Sequence, residues 1–114
     1  MNVVTLAVLT KARDILKQGW TQGIYARTSL GSATHPASSD ACKWCISGAL
    51  RRATHNFALI EGEPLPPEYH EAYSSLQKEC PDPDLVAWND APRRSKREIL
   101  ELLDRTISHS ENMT

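Results

Sequence analysis

The chain is poor in the features that announce a reaction or a membrane. Three cysteines in 114 residues are an odd number, unevenly placed. That argues against a disulfide framework and for free thiols in a reducing compartment. Aromatic residues make up 6% of the chain, and none is interleaved with the basic clusters as base stacking requires. No uninterrupted apolar run approaches the roughly 20 residues that span a bilayer. The apolar start, Met1 to Leu9, lacks a basic leader and soon acquires Lys11, Arg13 and Asp14, which reads against a secretory signal. A formal net charge of -1 and a pI near 6.4 give the molecule no long-range field for nucleic acid or acidic lipid. The expectation is a cytoplasmic protein that binds no membrane and no cofactor.

What is present fits one ordinary domain. The chain is long enough to bury about two thirds of the surface its unfolded form exposes, and 40% hydrophobic with 24% charged residues is a globular composition. Leu6, Leu9, Ala12 and Leu16 repeat at helical spacing and predict a first helix from about Val4 to Gln18, stopped by Gly19. Trp20 to Arg27 suits a short extended segment or a turn. Residues 28–40, rich in Ser, Thr, Gly, Ala and Pro, read as a mobile surface loop. Ser39 or Asp40 can cap a second helix running to about Asn56. Within it, Cys45, Gly48 and Ala49 form a small-residue groove against which another backbone packs. Phe57 to Ile60 is a short apolar stretch, and 61–67 a turn.

Pro67 opens a third helix with Tyr69, Ala72, Tyr73, Leu76 and Cys80 along its inner side, ended by Pro81-Asp82-Pro83-Asp84. Leu85 to Trp88 is a short buried run that suits either an extended segment or a turn of helix. Ser95 and Glu98 match a capping box ahead of a last helix that buries Ile99, Leu102, Leu103, Thr106 and Ile107. Glu101 stands four residues before Arg105 on its exposed face, and residues 109–114 are expected to fray. The expected fold is mainly all-α: a single compact domain, 1–114, of about four helices, with room for a two-stranded element from Ile24-Tyr25 and Val86-Ala87.

Two dense segments stand out, Trp44-Cys45-Ile46-Ser47-Gly48-Ala49-Leu50-Arg51-Arg52-Ala53 and Val86-Ala87-Trp88-Asn89-Asp90-Ala91-Pro92-Arg93-Arg94. Together with Gly19-Trp20 after the first helix, they resemble a family of small bacterial and bacteriophage domains of no assigned activity. The resemblance runs in order from about Leu6 to Leu103. It implies an architecture and a setting in which small proteins act by binding a host protein, defence machinery included. It supplies no catalytic residue.

The residues offer several chemistries. Cys42 and Cys45 make a C-x-x-C, but a second ligand pair for structural zinc is absent, so no metal is expected. The simplest reading packs Cys45 beside Trp44. A thiol enzyme would use Cys45 as nucleophile, His70 as base and Asp90 as orienter; His55 lies about 15 Å along the helix axis from Cys45 and cannot serve from the same helix. Asn89 and Asp90, ahead of a proline, commonly turn or cap the chain, with Trp88 and Trp44 as core anchors. In a functional version Asp90 would pair with Arg51 or Arg52 across a groove. Arg93, Arg94, Lys96 and Arg97 crowd a helix N-terminus, where cations oppose the macrodipole. Widened by Arg51 and Arg52, they are the candidate contact for an acidic protein surface, with a nucleic-acid backbone as the alternative.

Overall fold

The computed structural model describes residues 3–55 and 65–112. Among these residues five helices and one two-stranded sheet follow in the order α1 (Val3–Gln18), β1 (Ala26–Arg27), β2 (Lys43–Trp44), α2 (Ile46–Ala53), α3 (Pro67–Glu79), α4 (Leu85–Asp90) and α5 (Lys96–Asn112). The architecture is mainly α, as the periodicity predicts, with one helix more than expected. Helix α1 is the centre of the assembly and packs on α2, α3 and α5. Val8, Leu9, Ala12, Ile15 and Leu16 bury its inner face. Leu50, Leu76, Ile99, Leu102 and Leu103 meet them from the other helices in one core. No helix among the described residues is long and apolar enough to cross a membrane.

The sheet uses other residues than the sequence suggested. Ala26 pairs with Trp44 and Arg27 with Lys43, antiparallel, whereas Val86 and Ala87 lie in α4. Asp84 decides this, because its carboxylate accepts from the amides of Val86 (3.0 Å) and Ala87 (3.2 Å), capping a helix and so selecting the helical of the two readings open for Leu85 to Trp88. The second helix starts later than predicted for a related reason. The Asp40 carboxylate accepts the hydroxyls of Thr34 (2.7 Å) and Ser38 (2.5 Å), which hold its pKa below the ordinary range. It is therefore occupied within the loop. The helix is capped instead by Cys45, whose sulfur accepts from the Gly48 amide at 3.3 Å. The extension to Asn56, the apolar stretch 57–60 and the turn at 61–64 lie outside the described residues.

Close backbone approach sets the positions of Gly19 and Gly48. A Cβ on Gly19 would stand 2.1 Å from the carbonyl oxygen of Cys42, and one on Gly48 would stand 1.9 Å from that of Tyr25. Gly48 thus marks the small-residue groove the sequence predicts, and the backbone in it is that of Tyr25. Residues 28–40 form an irregular loop tied down at Pro36, whose carbonyl accepts from the Trp44 indole and from Arg52, each at 3.0 Å. Helix α3 starts at Pro67 as expected. The capping box is formed, with the Ser95 amide 3.0 Å from Glu98 Oε1 and the Glu98 amide 3.2 Å from Ser95 Oγ. Helix α5 runs on to Asn112, into the stretch expected to fray, and buries Ser110. Arg105 turns to Glu79 at 3.9 Å, while Glu101 pairs back with Arg97 at 3.0 Å.

Candidate functional site

The two dense segments meet at Asn89. This side chain is 1% exposed, and each of its polar atoms is used. Its oxygen accepts from the Trp20 indole (3.0 Å) and from the amide of Ile46 at the start of α2 (3.1 Å). Its nitrogen donates to the Thr21 carbonyl (3.3 Å) and to Asp90 (2.8 Å). Asp90 accepts in turn from the Gly23 amide at 3.0 Å, and Gln22 donates to the carbonyls of Asn89 (3.0 Å) and Ala91 (2.9 Å). One buried amide thus joins α4, the Trp20 to Gly23 turn and the first turn of α2. A fully satisfied network of this kind fixes geometry. Gly19-Trp20 and Trp88-Asn89-Asp90 signalled it in the sequence; Thr21 and Gln22 carried no signal.

Cys45 lies beside this hub and is 6% exposed. Burial pushes its thiol pKa up, the Gly48 amide opposes that, and the nearby Asp90 charge adds to it. Such a thiol is a poor nucleophile. His70 is exposed on α3, edge-on to the Tyr69 ring with centroids 5.3 Å apart, and makes no hydrogen bond to Cys45 among the described residues. Asp90 contacts Gly23 and Asn89, and forms no ion pair with Arg51 or Arg52. The arginine groove sketched from the sequence is therefore not assembled around Asp90. No group of three or more His, Cys, Asp or Glu among the described residues could hold a metal ion.

The six cations go to different tasks. Arg94 lies over the Trp88 ring at 4.2 Å, donates to the Trp88 carbonyl at 2.9 Å and pairs with Glu98 at 2.5 Å. Its guanidinium is the first cause of a lowered Glu98 pKa. Lys96 donates to the Lys17 carbonyl at 2.5 Å. Arg52 lies over Trp44 at 5.1 Å and gives hydrogen bonds of 3.0 Å to both Pro36 and Ser38. Arg51 lies over Tyr25 at 4.2 Å. Arg97 projects from α5 with its side chain 88% exposed, beside Glu101.

Arg93 is exposed and has a φ of 68°. It is the third residue of a turn closed by the Arg94 amide on the Ala91 carbonyl at 3.1 Å. With proline second and a positive φ third, this is the pattern that ordinarily takes glycine or asparagine in the third place. An arginine there costs about 1–2 kcal/mol, and its side chain makes no hydrogen bond or ion pair among the described residues that would offset it.

A separate open groove of about 560 Å³ runs between α1, α3 and α5, with His70, Ser74, Lys78 and His109 along its walls. Inside it the His109 ring stands 2.7 Å from Glu79. Of the residues singled out by the sequence, only His70 reaches it.

A search of curated proteins finds no match, and neither does a search of solved structures. A family model does match, over residues 1–109, and by that extent the chain belongs to DUF6197, a family of unknown function.

Proposed function

We propose that this protein is a non-enzymatic binding protein of bacterial or bacteriophage origin that engages an acidic surface of a partner protein through the corner between α4 and α5. The observation that carries the reading is Arg93, an arginine kept in a backbone conformation suited to glycine, exposed, with no side-chain hydrogen bond or ion pair among the described residues to compensate. Strain of this kind is retained where a side chain is needed for something outside the fold. Arg97 lies one helical turn on and equally outward, and its exposed pairing with Glu101 is worth a few tenths of a kcal/mol, easily exchanged for a partner's carboxylate.

The resemblance read from the sequence supports a host protein in the bacterial cytoplasm as the target, a defence complex among the candidates. A Cys45 thiol enzyme draws little support from a buried sulfur with no base beside it. Nucleic-acid binding through the same corner draws little from a net charge of -1.

Arg94 braces Trp88 and Glu98, so the test reverses charge at Arg93 and Arg97 alone. Affinity capture from bacterial lysate is run with wild type, the Arg93→Glu, Arg97→Glu double variant, and Arg94→Ala as a fold control. The reading predicts a protein retained by wild type, eluted by salt and lost by the double variant. Equal capture by wild type and double variant overturns it, and so does a nucleic acid retained in place of protein.

A further inference from the structure

Arg51 is used unlike the other half-buried arginines. Arg13 and Arg94 face carboxylates, and Arg27 and Arg52 give their N–H groups to backbone carbonyls. The Arg51 guanidinium lies over two rings, 4.2 Å from the centroid of Tyr25 and 5.3 Å from that of Tyr69. One terminal nitrogen donates to the Tyr25 hydroxyl at 3.2 Å, and Nε stands 3.5 Å from Ser47 Oγ. The Nη1 edge meets no acceptor among the described residues, and no carboxylate there lies within ion-pair distance of the guanidinium.

The surroundings of that edge are built rather than incidental. Ser47, 4% exposed, is hydrogen-bonded to the Tyr69 hydroxyl at 2.7 Å, which fixes the ring beneath the guanidinium. Tyr73 stacks at a tilt on Tyr69, centroids 5.9 Å apart. Its hydroxyl has no acceptor among the described residues. Burial raises the Tyr73 pKa, and the neighbouring Tyr69, Asp84, Cys80 and Tyr25 raise it further, so the phenol stays protonated and able to donate. The Tyr25 hydroxyl accepts from Arg51 and meets no acceptor of its own among the described residues. The guanidinium edge thus adjoins the Tyr25 hydroxyl, and Tyr73 stands next to Tyr69 in the same run of rings. Resting on two rings and hydrogen-bonded to Tyr25, the guanidinium has less rotamer freedom to lose on binding than a free arginine.

We propose that Arg51, Tyr25 and Tyr73 form a binding site for the carboxylate of a small organic acid with an apolar body, a function separate from the α4–α5 corner. The guanidinium edge takes the two carboxylate oxygens side by side, the phenols donate to their remaining lone pairs, and the rings cover the body. A monoanion fits better than a phosphate dianion because the site offers one formal positive charge.

The test is a titration of the full chain with benzoate, followed by the NMR signals of the Arg51 Nε–H and of the Tyr25 and Tyr73 rings. Benzyl alcohol, inorganic phosphate and chloride are run at matched ionic strength. The expected result is a saturable shift with benzoate, little movement with benzyl alcohol or chloride, and weaker binding of phosphate. Arg51→Gln should weaken benzoate by about tenfold or more, the loss of one charge-assisted pair. Tyr25→Phe keeps the ring that packs on Arg51 and should weaken it by a smaller factor, which preserves the test if the arginine variant fails to fold. The proposal is overturned if benzyl alcohol moves the same signals as far as benzoate, if phosphate binds more tightly, or if neither variant changes the benzoate affinity.

Discussion

Gly48 in α2 and Tyr25 at the edge of the sheet are packed so closely that a Cβ on the glycine would stand 1.9 Å from the tyrosine carbonyl oxygen. The same peptide carbonyl accepts from the Cys45 amide at 3.2 Å, so it cannot move away without breaking that bond. Helix propensity alone would make Gly48→Ala stabilising by about 1 kcal/mol. The contact reverses the sign, and we expect a loss of about 2–3 kcal/mol, measured by urea unfolding. An unchanged or raised midpoint would mean the two backbones are not apposed.

Removing the hub amide should be among the most damaging single changes. Asn89→Ala leaves the Ile46 amide and the Trp20 indole without their acceptor and the Thr21 carbonyl without a donor. At about 1–3 kcal/mol for each buried group left unsatisfied, and with water reaching the half-exposed Trp20 side, the expected loss is roughly 3 kcal/mol. Asn89→Asp should also destabilise, because its second oxygen would face the Thr21 carbonyl and the Asp90 carboxylate. Thermal unfolding of both variants reads this, and a midpoint within a degree of wild type would remove the hub from the account of the fold.

Arg93→Gly separates stability from binding. Glycine relieves the positive φ but adds freedom to the unfolded chain, so the net expectation is a gain of about 0.5–1 kcal/mol. Partner capture, by contrast, should fall. A variant that is less stable than wild type would show that the arginine makes contacts the fold depends on.

Glu98 makes stability depend on acid. Its folded pKa lies below the ordinary 4.5, first because of the Arg94 hydrogen bond and then because of the Ser95 amide. A depressed carboxylate pKa contributes stability that is fully present above the unfolded value and is lost as pH falls through the folded one. The melting temperature should therefore hold from neutral pH down to about 4.5 and decline below it, with Glu98 among the carboxylates responsible. Glu98→Gln keeps a capping side chain but not the ion pair, and should flatten that decline while lowering stability at neutral pH. A decline equally steep in the variant would assign the acid sensitivity to other groups.

Local signals were legible and distant ones were not. The stop of α1 at Gly19, the proline start of α3 and the Ser95–Glu98 box depend on residues within a turn of one another, and the structure has them as read. The start of α2 was misplaced because Asp40, a good cap by type, is held by two hydroxyls in its own loop, while Cys45, a poor cap by type, is brought to the helix by the pairing of Trp44 with Ala26. Asp84 could have announced α4, since it precedes Val86 and Ala87 at capping distance. Nothing in the spacing of Trp20 and Asn89 says that they touch. The Tyr25–Arg51–Tyr69 stack was equally silent, because its members come from three separate stretches of chain, ahead of β1, in α2 and in α3, and no local spacing relates them.

The hub at Asn89 has a consequence for how the chain folds. The bonds it makes close stretches of 43, 68 and 69 residues, so they form only after both halves of the chain have come together, with loop closure already accomplished. The amide of Ile46 would be left to solvent in an isolated helix, as the first amides of helices are. Here its exchange with solvent hydrogen waits on the departure of a residue from the other half of the molecule, making this one proton a reporter of whether the two halves are still joined.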